Sequence, residues 1–107
     1  MIAFEDDYRI YREMIAAAIQ MMRPRVEVLT TEVNKLETEA RHFVPDLIIC
    51  SVPRIINHVS VLAWIQLSPY PQQRTRIWIE ERYEEALNPG MGDIVSAVDG
   101  VGKLVGV

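Results

Sequence analysis

The residues best able to do chemistry are few, and they fall at the ends of apolar runs. Glu5 and Asp6 follow "IAF", Ser51 follows "DLIIC", and Ser68 follows "LAWIQL". An adjacent carboxylate pair can ligate Mg²⁺, a hard cation that takes oxygen donors and keeps several waters. A serine hydroxyl is a nucleophile only when a base or metal activates it. Such an edge suggests a small domain with Mg²⁺-dependent phosphoryl chemistry. Against that reading, the chain lacks a glycine-rich phosphate loop, a Lys or Arg beside these run ends, and a positioned base. Two carboxylates also make a weak Mg²⁺ site or none, and a strand end beside a helix N-terminus favours acids anyway. Cys50 reads as a small buried hydrophobe, and His42 and His58 as surface or loop residues.

The elements that must position these groups follow from the hydrophobic pattern. Ile2 to Phe4 reads as a buried strand. "YRIYREMIAAAIQMM" is a helix with Tyr8, Tyr11, Ile15, Ala18 and Met22 inward, Asp7 as N-cap and Pro24 past its end. "VEVLT" (26–30) is the second strand. Thr31 opens a second helix, with Val33, Leu36, Ala40 and Phe43 inward, which Pro45 stops before "DLIIC". Continuous apolar strands alternating with amphipathic helices predict a parallel sheet covered on both faces. Further on, "LAWIQLS" (62–68) reads as a fourth strand, "TRIWIE" as a strand, and "ERYEEAL" as its hairpin partner or a short helix. Asn88 caps a last helix, with Pro89 at its first position and Met91, Ile94, Val95 and Val98 as its apolar set; it frays after Asp99. Residues 54–61 and 70–84 do not read as amphipathic helices.

Composition bounds the rest. The chain has 107 residues, 50% hydrophobic and 24% charged, with a formal net charge of −4 and one cysteine. That is one domain, spanning 1–107, with a single core. Without a basic footprint it is a poor nucleic-acid binder. No apolar stretch approaches the ~20 residues that span a bilayer, and no signal-peptide pattern follows Met1, so a cytoplasmic location is expected. One cysteine excludes an internal disulfide and a multi-cysteine zinc site.

The order of these segments resembles the receiver domain of bacterial two-component response regulators. "IAFEDDYRIYREMIAAAI" is similar to the family's opening strand, its two acids and its first helix with an early arginine. "VPDLIICSVP" resembles the third strand, which ends on the phosphate-accepting aspartate. "WIQLSPY" resembles the strand carrying the Ser/Thr switch, and "ALNPGMGDIVSAV" the Lys-Pro segment before the last helix. The resemblance implies an α/β, three-layer flavodoxin-like fold with a mainly parallel central sheet, its third and fourth helices reduced or replaced by loop and strand. It also implies a phosphoacceptor pocket at Glu5, Asp6, Ser51, Ser68 and Asn88. There Glu5 and Asp6 occupy the metal-binding places and Ser68 the switch hydroxyl. Ser51 stands in place of the aspartate and Asn88 in place of the lysine, and the loop after Ser51 is short. The pocket is therefore degenerate, with no catalytic residue and no cofactor beyond weak Mg²⁺.

Two readings of function follow besides the metal-dependent one. The first is a pseudo-receiver in two-component signalling that works by protein–protein contact without phosphorylation. The second is a structural partner subunit. Ile55, Ile56, Trp64 and Trp78 carry apolar area around the segments that lack helices, and they are the expected contacts of a homodimer or a larger protein partner.

Overall fold

The strand formed by Ile2–Phe4 lies inside the sheet, paired in parallel on both sides. The computed structural model describes residues 1–52, 61–67, 74–80, 82–87 and 90–104. Among these, in chain order, are β1 (Ile2–Phe4), α1 (Arg9–Met22), β2 (Thr30–Glu32), α2 (Leu36–Phe43), β3 (Leu47–Cys50), β4 (Ala63–Gln66), β5 (Arg74–Ile79), β6 (Arg82–Leu87) and α3 (Met91–Leu104). One sheet takes the order β2-β1-β3-β4-β5-β6. The neighbours from β2 to β4 pair in parallel, whereas β4–β5 and β5–β6 are antiparallel.

That mixed sheet corrects the expected flavodoxin-like three-layer architecture with its mainly parallel sheet. The described residues form a small α/β protein with three helices, and its C-terminal half continues the sheet as an antiparallel meander. Chain length explains the change. A parallel crossover needs about a dozen residues or more. Only the segment 67–73 separates β4 from β5, and two residues separate β5 from β6. So short a link between six-residue strands closes a hairpin, and Glu80 supplies the left-handed conformation with φ 53° that tight hairpin turns require.

Two apolar clusters form on opposite faces of the sheet. On one, Ile15, Ala16 and Ile19 of α1 and Ile94 and Ala97 of α3 pack on Ile2, Phe4, Ile49 and Ile65, with Ile77 and Ile79 at the margin. On the other, Leu36 and Ala40 of α2 pack with Ala3, Ile48, Cys50 and Trp64, while Trp78 lies half-buried beside them. Period-two alternation sorts neighbouring residues between faces, so Ile49 faces α1 and α3 while Ile48 and Cys50 face α2. Arg23 fastens the end of α1 to α3, its Nε and Nη2 donating to the two carboxylate oxygens of Asp99 at 2.7 Å each.

Three boundaries differ from the sequence expectation. The second strand lies at Thr30–Glu32 and not at 26–30. Its pairing with β1 sets that position, since Ile2 aligns with Thr30 and Phe4 with Glu32. Val26 and Val28 instead pack against the α1 side of the core. The second helix is correspondingly shorter. A single 3-10 turn, Val33–Lys35, precedes Leu36, and the chain leaves the helix through Val44 in a left-handed conformation (φ 50°) before Pro45. The last helix does not fray at Asp99. It runs to Leu104, because Val101 is buried in the core and holds its final turn.

Candidate functional site

Parallel pairing of β1 with β3 decides what meets at the sheet's C-terminal edge. Ala3 aligns with Cys50, so the residues just beyond, Glu5 and Ser51, emerge side by side. The Ser51 hydroxyl lies 2.9 and 2.8 Å from Glu5 Oε1 and Oε2, and it donates to that carboxylate. Asp6 is exposed and opens a 3-10 turn ending at Tyr8, whose backbone N–H donates to the Glu5 carbonyl at 2.9 Å. Thus Glu5, Asp6 and Ser51 share one edge, and a carboxylate–hydroxyl pair is its best-defined feature. Among the described residues no group of three His, Cys, Asp or Glu side chains could hold a metal ion. Ser68, Asn88, Ile55 and Ile56 lie outside the described residues.

Behind this edge the structure is closely held. Cys50 has no exposed surface, and its thiol is pushed up to about 12, mainly by burial, with the Glu5 charge adding to the effect. Its Sγ donates to the Val52 carbonyl at 3.4 Å, and the Trp64 indole N–H donates to the same oxygen at 3.0 Å. Two donors on one carbonyl fix the turn the chain takes after β3, and with it the position of Ser51. Trp64, expected as a contact residue, is completely buried. Trp78 pairs across the strands with it and stacks on Tyr83 with ring centroids 5.0 Å apart.

Sequence reasoning missed the part Arg12 takes. Its position on the inward side of α1 is legible only as an arginine early in the opening helix. In the fold its side chain is about nine-tenths buried, and Nη1 donates to the carbonyls of Phe4 at 3.3 Å and Thr31 at 3.1 Å. The guanidinium therefore ties β1 and β2 together through the carbonyls of Phe4 and Thr31. Its nearest carboxylate is that of Glu13, 3.8 Å from Nε, and Nε itself makes no hydrogen bond. A buried guanidinium bonded to carbonyls of two neighbouring strands is a positioning device for the edge they share.

At the opposite end of the sheet a cavity of about 310 Å³ opens among Ile19, Phe43, Leu47 and Val101, with Arg25 and Asp46 among its polar lining groups. The Met1 amine closes part of it by donating to the Leu47 carbonyl at 2.7 Å, and burial lowers that amine to about 6. The cavity is thus remote from Glu5 and Ser51. No described helix is long and apolar enough to cross a membrane. Comparison with known proteins gives no match to any family model, any curated protein or any solved structure.

Proposed function

We propose that this domain is a regulatory module that works by protein–protein contact and does not accept phosphate, in the manner of a receiver whose acceptor site is degenerate. The observation that carries the reading is the closed pair of Glu5 and Ser51. At the end of β3 a phosphorylatable site needs an ionised carboxylate with free oxygens facing a bound Mg²⁺. Here a neutral hydroxyl stands at that place, and it uses the neighbouring acid as its own acceptor. The pair is self-satisfied and needs neither metal nor phosphate to be stable. Such a module acts in the cytoplasm, where signalling partners of this kind are found, and it has no enzymatic turnover of its own.

The test is direct. Incubation with acetyl phosphate and Mg²⁺ leaves the mass of the intact protein unchanged, and beryllofluoride with Mg²⁺ leaves the backbone amide spectrum of Glu5, Asp6 and Ser51 unchanged. A stoichiometric adduct on Ser51 or either acid would overturn the reading in favour of metal-dependent phosphoryl chemistry.

A further inference from the structure

The cavity at the far end of the sheet takes no part in the edge formed by Glu5 and Ser51. It holds about 310 Å³ and is walled by Ile19 of α1, Phe43 of α2, Leu47 of β3, and Val98 and Val101 of α3. Packed interiors keep few voids larger than one water, whereas this one has the volume of about ten at ~30 Å³ each. Its remaining wall comes from the segment 26–29, which alternates like a strand although pairing with β1 begins only at Thr30. Val26 and Val28 line the cavity half-buried, and no backbone hydrogen bond among the described residues involves Glu27 or Val28.

We infer that this cavity is a binding site for a small uncharged molecule, a single ring or branched aliphatic body of about ten non-hydrogen atoms with one hydrogen-bonding head. Size sets the first bound. Small-molecule sites run from about 300 to 1,000 Å³, so this one stands at the lower limit and is too small for a nucleotide or a flavin. The walls set the second, because aliphatic side chains and one phenyl ring ask for an apolar body. Charge sets the third. The exposed residues at the mouth are Arg25, Glu27 and Asp46, two carboxylates against one guanidinium, which disfavours an anion. A cation fares no better. Burial lowers the Met1 amine beside the cavity to about 6 although the Asp46 charge acts to raise it, so desolvation outweighs the carboxylate there. The unpaired N–H and carbonyl groups of Glu27 and Val28 suit a hydroxyl or amide head, which both donates and accepts. The inference goes beyond the protein-contact reading and is independent of it, since the two sites lie at opposite ends of the sheet.

Phenethyl alcohol, one ring with one hydroxyl, is the probe. Titrated into the wild-type protein and followed by amide NMR, it gives saturable shifts at Val26, Val28, Leu47 and Val101, with Kd on the order of 1 mM. The amides of Glu5 and Ser51 stay where they are. Phenethylamine and phenylacetate carry the same ring with a positive or a negative head, and each binds at least about tenfold more weakly. Val28→Phe and Val98→Phe each put a ring into the space and remove the shifts. Shifts that fail to saturate by about 10 mM, or that centre on other amides, overturn the inference. So do shifts that persist in either filled variant. Equal binding of a charged compound overturns the assignment to an uncharged ligand. The wild-type titrations decide these points even if a filled variant fails to fold.

Discussion

The Ser51 hydroxyl donates to Glu5 across the ends of two adjacent parallel strands, touching both carboxylate oxygens at 2.9 and 2.8 Å. The pair lies at the solvent edge, so its net contribution to stability is small. Ser51→Ala lowers stability by less than about 1 kcal/mol in urea denaturation. Ser51→Asp does something different, because it places a third carboxylate beside Glu5 and Asp6. That variant binds Mg²⁺ at least about tenfold more tightly than wild type by calorimetric titration. Equal affinity in the two proteins would mean that the edge cannot gather its acids around a cation.

Arg12 gives a comparison between two substitutions. Arg12→Ala removes the buried stem and the guanidinium's hydrogen bonds to the carbonyls of Phe4 and Thr31, costing about 2–4 kcal/mol. Arg12→Met keeps the packing and removes a buried cation that has no short carboxylate contact, so it costs about 1 kcal/mol less than the alanine change. Chemical denaturation of the two variants measures the difference. An alanine variant as stable as wild type would show that the guanidinium does not secure β2.

Cys50 makes stability fall at high pH. Its thiol is pushed from the ordinary 9.0 to about 12, so the unfolded chain releases this proton at a pH where the folded chain keeps it. The contribution is complete below pH 9 and is lost progressively as pH rises from 9 towards 12, by up to about 1.4 kcal/mol per pH unit. Tyr11, which burial also raises, acts in the same direction. Cys50→Ala has a lower starting stability and a shallower alkaline slope. In wild type at pH 8, the native thiol reacts with Ellman's reagent only as fast as the protein unfolds.

Trp64 and Trp78 are distinguishable by fluorescence. Trp64 is completely buried with its indole N–H bonded to Val52, and its emission is blue-shifted and shielded from iodide. Trp78 is partly exposed on the hairpin and is quenched. The Trp78→Phe variant therefore isolates the shielded signal. Trp64→Ala costs about 3–5 kcal/mol by the cavity it leaves. If Trp64→Phe abolishes no shielded component, the residue is not in the core.

Val44 offers a stabilising change. A β-branched residue at φ 50° is strained, and Val44 is exposed, with its backbone N–H already bonded to the Ala40 carbonyl as a helix terminator. Val44→Gly relieves that strain and raises stability by about 1 kcal/mol after the added freedom of the unfolded chain is counted. Thermal unfolding shows the transition rising; a fall would mean that the valine side chain packs where it is exposed.

The sequence by itself determined the local elements and the edge they share. Apolar runs at 2–4, 47–50 and 63–66 are too continuous for surface strands, and α1, α2 and α3 declare themselves by periodicity and by the prolines beside them. Because strands of this kind end on polar residues, Glu5, Asp6 and Ser51 were legible as one edge. The tertiary structure decided what depends on partners distant in the chain. Pairing with β1 moved β2 onto Thr30–Glu32, since register is a property of two strands and not of one. The short links after β4 and β5 turned an expected layered parallel sheet into an antiparallel meander. Arg12 went inward, where its guanidinium bonds the carbonyls of Phe4 and Thr31 across two strands, which no helical pattern of apolar residues can announce. The two faces of α1 were separated in the same way. Periodicity suggested Tyr8, Tyr11, Ile15, Ala18 and Met22 as inward; Ile15 is buried and both tyrosines pack against the core, yet contact with the sheet buried Ala16 and Ile19 where Ala18 and Met22 were expected. Where both sides of a helix are apolar, only the surface it meets can determine which side is core.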